Sequence, residues 1–113
     1  MYYTYRQNNS GGQFTLDKKR GITMFVVIFA ETSEEADKKA EDIGLYFNGV
    51  EKDIDCGCCG DRWYPNTYEK PTKTPMIYGK TPTKFLKSRL HFRFVEEGFE
   101  ICIHLKNGKM KWY

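Results

Sequence analysis

The sequence predicts an α+β fold: an antiparallel β-sheet of four to five strands, one amphipathic helix packed on one face, and a C-terminal three-strand meander. Three stretches carry that prediction. Residues 22–30 read Ile-Thr-Met-Phe-Val-Val-Ile-Phe-Ala, a β-branched and aromatic run of strand length that suits a central strand covered on both faces. Residues 32–47 carry a capped helical period, and residues 89–113 alternate apolar and polar side chains around Asn107-Gly108, a strong hairpin signal.

Taken in order, residues 1–6 are aromatic-rich and suit an edge strand or a docking arm, and the polar and glycine run from Asn8 to Gly12 then breaks the chain. Gln13–Asp17 is a short strand candidate, followed by a basic turn at Lys18-Lys19-Arg20-Gly21. In Thr32-Ser33-Glu34-Glu35 the spacing fits a capping box: the Thr32 hydroxyl accepts from the Glu35 amide while the Glu35 carboxylate reaches back. Ala36, Ala40, Ile43 and Phe47 then share one helical side, the small alanines permit close approach to a sheet, and Asn48-Gly49 supplies the stop. Residues 65–84 hold all 4 prolines among repeated Thr and Lys, which predicts a long loop, neither strand nor helix, anchored by Met76-Ile77-Tyr78-Gly79.

In the last third, Leu90, Phe92 and Phe94 alternate with Arg89, His91 and Arg93; Phe99, Ile101, Ile103 and Leu105 alternate with Glu100, Cys102, His104 and Lys106. A two-residue turn at Asn107-Gly108 predicts Leu105 opposite Met110, His104 opposite Lys111 and Ile103 opposite Trp112. One face of the meander is then apolar. The other carries Arg89, His91, Arg93, His104, Lys106, Lys109 and Lys111. A single helix covers only one sheet face, so the basic face is expected to meet water, a ligand or a second copy of the chain, and a homo-oligomer is the expectation.

With 113 residues, 40% hydrophobic and 29% charged, residues 1–113 make one globular domain's worth of chain. Aromatic residues reach 16%, and many tyrosines sit beside polar neighbours, so some are expected at the surface for recognition. The net charge of +3 permits an anionic partner without demanding one. Residues 1–12 do not read as an export signal, so none is expected, and the longest apolar run, Met24 to Ala30, is too short to span a bilayer. The expected setting is cytoplasmic, away from membranes, where thiols stay reduced and cysteines are free, metal-bound or catalytic.

Chemistry concentrates in Asp55-Cys56-Gly57-Cys58-Cys59-Gly60-Asp61-Arg62-Trp63-Tyr64-Pro65, a stretch with no apolar period and therefore a loop. Cys56 and Cys59 have a spacing that lets two thiolates bind one zinc, with Cys58 as a third ligand; a fourth would have to come from Cys102, His91, His104 or an acid. The alternative is a set of free thiols in a glycine turn. Redox or nucleophilic work is disfavoured, because Asp55 and Asp61 oppose thiolate formation and Pro65 argues against a helix opening in the motif. Gly57 and Gly60 can offer backbone amides to an anion, Arg62 can grip a phosphate, and Trp63, Tyr64 and Tyr78 can stack a base. Against this, Asp61 and Arg62 can simply pair while Trp63 fills the core. No Walker loop, nucleophile elbow or His-Glu-x-x-His occurs, so nothing points to an enzyme.

Residues 24–80, with Phe25-Val26-Val27-Ile28-Phe29-Ala30, Ile43-Gly44-Leu45-Tyr46-Phe47-Asn48-Gly49-Val50, the Cys-x-Cys-Cys-Gly-Asp-Arg-Trp motif of Cys56 to Trp63, and Ile77-Tyr78-Gly79, resemble small accessory proteins encoded by tailed bacteriophages. That resemblance implies a bacterial host cytoplasm and a role exerted on the host by binding. Together with the residues, it sets the functional expectation: non-catalytic, anti-defence sequestration of a phosphate-bearing nucleotide signal, or inhibition of a host protein. Asp61, Arg62, Trp63, Tyr64, Tyr78, Arg89, Arg93 and Lys111 are its expected ligand residues. The alternative expectation is a zinc-stabilised module that binds nucleic acid or protein.

Overall fold

The apolar run at 22–30 becomes the second strand of a four-stranded sheet. The computed structural model describes residues 1–65, 70–88 and 95–113. Strands β1 (Tyr2–Arg6), β2 (Phe25–Phe29), β3 (Ile101–His104) and β4 (Met110–Trp112) lie side by side in that order. β1 is antiparallel to β2 and β3 to β4, but β2 and β3 run parallel, so the sheet is mixed rather than wholly antiparallel. Connectivity permits the parallel pair: the chain between β2 and β3 is long enough for the crossover that parallel strands require. Gln13–Asp17 forms no strand beyond the single bridge from Asp17 to Ile22.

Helix α1 (Ser33–Ile43) begins as its capping residues dictate. The Glu35 amide donates to the Thr32 hydroxyl at 3.1 Å, and the Glu35 carboxylate reaches back to the Glu31 amide. It ends earlier than Asn48-Gly49. Gly44 enters the left-handed region at φ 119, its amide donates to the Glu41 carbonyl, and the Leu45 amide donates to the Ala40 carbonyl, which closes the last turn. Ala36 and Ala40 are fully buried, and the helix is tied to the sheet by Tyr5 Oη donating to Asp37 Oδ1 at 2.6 Å and Lys39 Nζ donating to the Phe29 carbonyl.

Strand alternation sends Tyr3, Tyr5, Val26 and Ile28 to the α1 side and Phe25, Val27, Ile101 and Ile103 to the other. Both faces are covered. On the second face sits a short helix, α2 (Pro82–Lys87), in the stretch expected to be free of helix; Thr81 caps it and Pro82 occupies its first turn, where a missing amide hydrogen costs nothing. Phe85 and Ile77 fill the space beneath. Of the residues expected on the basic sheet face, Cys102 is buried within β3 and His104 is turned toward the covered α1 side, its Nε2–H donating to the Gly21 carbonyl at 3.0 Å.

The last hairpin also differs from its expected register. Cys102 pairs with Trp112, Ile103 with Lys111 and His104 with Met110, one residue off the two-residue turn. The Gly108 amide donates to the Leu105 carbonyl, and Gly108 alone of the loop takes positive φ, so Lys106-Asn107-Gly108 makes a three-residue turn with the glycine as a bulge. Because side chains alternate, this slip moves Met110 and Trp112 to the α1 side, where Trp112 Nε1 donates to the Lys18 carbonyl. The expected first strand of the meander, with Arg89, His91 and Arg93, lies outside the described residues. Among the described residues no helix is long and apolar enough to cross a membrane.

Candidate metal centre

The cysteine loop is held by its neighbours rather than by regular structure. The Ile54 and Asp55 amides both donate to the Gly49 carbonyl, and Asn48 and Asp53 turn the chain with φ of 59 and 63. The Asp55 carboxylate accepts from Tyr46 Oη and from the Arg62 amide, each at 2.8 Å. Val50 donates its amide to Asp61 Oδ1. From the far side, Asn8 Nδ2 donates to the carbonyls of Cys59 and Asp61. Burial, followed by the bond to Asp55, pushes the Tyr46 hydroxyl above its ordinary range, with Arg62 opposing; Tyr46 therefore keeps its proton and remains a donor.

On this frame the Cys56, Cys58 and Cys59 sulfurs lie at the surface, all within 4.8 Å of one another. Cys56 and Cys58 are joined as a disulfide over Gly57, and Cys59 Sγ is 3.5 Å from Cys58 Sγ. When reduced, three sulfurs so gathered can hold a metal ion. Among the described residues no other Cys, His, Asp or Glu joins the group. Cys102, expected as a fourth ligand, is enclosed in β3, where burial pushes its thiol up to about 12. His91, the other expected ligand, lies outside the described residues.

Arg62 and Trp63 are interior residues, which corrects their expected outward roles. Trp63 is 1% exposed and packs in the cluster between α1 and the sheet. Arg62 directs Nε–H to Tyr46 Oη at 3.1 Å, Nη1 to Gln7 Oε1 and to the Gln13 carbonyl, and Nη2 to the Ser10 carbonyl, with Asp55 at 3.9 Å. Its charged partner is Asp55, not the adjacent Asp61. The Gly60 amide, offered by sequence as an anion donor, donates to the Cys56 carbonyl instead.

A family model described as Domain of unknown function (DUF7296) matches residues 1–113. The chain belongs to the DUF7296 family. No curated protein and no solved structure matches it. In this DUF7296 chain the remaining expected ligand residues are dispersed: Tyr64 and Tyr78 are 57% and 56% exposed, Tyr64 just after the cysteine loop and Tyr78 on the 76–80 turn, while Lys111 lies in β4 with Nζ over the Tyr113 ring. Arg89 and Arg93 fall outside the described residues. Asn8 and Tyr46 brace the cysteine loop, a role that sequence reasoning missed. Asn8 reaches Cys59 across 51 positions, a separation that no local pattern encodes.

Proposed function

We propose that this protein is a non-catalytic binding module whose reduced Cys56-Cys58-Cys59 loop holds one zinc ion and attaches a partner at the metal's remaining position. The observation that carries this reading is the surface cluster of three sulfurs within 4.8 Å on a loop braced by Asp55, Asn8 and Arg62. Zinc takes four ligands, so three from this chain leave one position for a side chain, water or ligand from outside. Three thiolates outweigh the ion's charge and leave it a weak electrophile, which favours a linking role over catalysis. The host-directed setting implied by the phage resemblance is where the partner belongs under this proposal, with a protein partner preferred because a thiolate or imidazole best completes such a site.

The nucleotide-sequestration reading draws less support, since Arg62 and Trp63 are spent on the interior. Metal content decides. Protein prepared under reducing conditions should retain about one zinc per chain through dialysis and, with cobalt, develop the absorption of a tetrahedral thiolate site. Reduced protein that takes up neither ion would overturn the proposal.

A further inference from the structure

On the sheet face opposite α1, the structure carries a second site that shares no residue with the cysteine loop. Alternation along β1 turns Thr4 and Arg6 to that face, beside Phe25. The segment from Lys70 to Gly79 runs along the free edge of β1: Thr72 exchanges both backbone hydrogen bonds with Tyr2, and Thr4 Oγ1 donates to the Met76 carbonyl. A cavity of about 200 Å³ remains between strand and segment, lined by Thr4, Arg6, Lys70, Thr72 and Tyr78 among others. Its described lining holds two cations and no carboxylate. Among the described residues neither Arg6 nor Lys70 lies within ion-pair distance of an acid.

The rim adds a costly feature. The Ile77 and Lys80 amides and carbonyls bond reciprocally, and both residues between them have positive φ, 51 at Tyr78 and 76 at Gly79. Such a two-residue turn favours Asn, Asp or Gly at its first position, and a tyrosine there is strained. The Tyr78 ring is held edge-on to Phe25 at 6.0 Å and remains half exposed at the mouth of the cavity. A strained backbone that presents an aromatic ring beside two cations left without an acidic partner among the described residues is the arrangement of a ligand clamp.

We propose that this cavity binds a phosphate monoester of sugar-phosphate size, with the phosphoryl group between Arg6 and Lys70 and the remainder against Tyr78. Arg6 supplies paired N–H donors, Lys70 a point charge and Thr72 an amide-anchored rim. The volume accommodates a phosphate and a small sugar, so a nucleotide would leave its base outside, against the tyrosine ring. The site is independent of the metal proposal, and each can fail alone.

The test is titration of the reduced 113-residue chain with inorganic phosphate, ribose 5-phosphate and AMP, followed by amide chemical shifts. Saturable shifts at Lys70, Thr72, Tyr78 and Gly79 with ribose 5-phosphate are expected; tighter binding of AMP would identify the nucleotide form, and equal binding the sugar phosphate. Arg6→Gln and Lys70→Gln, both at exposed side chains, should each weaken binding by about tenfold, whereas Lys73→Gln, outside the cavity, should not. Absence of saturable shifts at millimolar ligand, or equal losses in all three variants, would overturn the proposal.

Discussion

Arg62 spends its guanidinium on the protein itself. Its donors join the 7–13 segment to Tyr46 and Asp55, so removing it strands a buried carboxylate and several carbonyls at once. Arg62→Ala should lower unfolding free energy by about 3–5 kcal/mol in urea denaturation, and Arg62→Lys should not restore it, because an ammonium cannot reproduce the fork. A fully stable alanine variant would contradict this arrangement. His104 gives the pH counterpart. Burial lowers its pKa below the usual histidine value, with the bond to Gly21 partly opposing, so the unfolded chain binds the proton more readily than the folded one. Stability from this group is complete above the unfolded pKa and is lost as pH falls through the folded value. Urea midpoints should fall from neutral pH into the acid range below it, and His104→Gln should flatten that slope.

The cysteine loop owes its shape to Gly49 as much as to its own glycines. A Cβ at Gly49 would overlap the Asp55 carboxylate, the group that fixes the Arg62 amide and Tyr46. Gly49→Ala should therefore cost about 1–3 kcal/mol and weaken zinc retention, measured on one preparation by denaturation and metal titration; Gly57→Ala, where a Cβ meets only Val50 at 3.9 Å, should spare stability. Redox state is the loop's second control. With Cys56 and Cys58 joined, two of the three proposed zinc ligands are withdrawn, so oxidised protein should bind no zinc until a reductant is added, and binding should then release protons. Zinc uptake by the oxidised form would count against a thiolate site.

At the scale of the whole molecule, the sheet is a layer between two unequal covers. α1, Phe47 and Trp63 close one face; α2, Ile77 and Phe85 close the other. Trp63→Ala and Phe85→Ala should each cost about 3–5 kcal/mol, measured by thermal or urea unfolding. Near-zero loss at Phe85 would mean that the second cover contributes little. The expected homo-oligomer was argued from an uncovered sheet face, and with both faces covered an oligomer would have to be argued from another surface.

Local chemistry alone determined the central strand, the start of α1 and the gathering of three cysteines on a loop. Each depends on neighbours within a few positions: a β-branched run, a threonine three residues before a glutamate, thiols one and three apart. Tertiary structure decided what each residue faces. Arg62 and Trp63 read equally well as ligand residues or as core until long-range partners such as Ser10 and Gln7 claimed them. The hairpin register turned on whether Gly108 was a turn corner or a bulge, and one residue of slip exchanged the faces of every side chain in β4. The parallel pairing of β2 with β3, α2 on the second face, and the placing of Arg6 and Lys70 around one cavity arise from contacts between distant segments, whose closure no local pattern specifies.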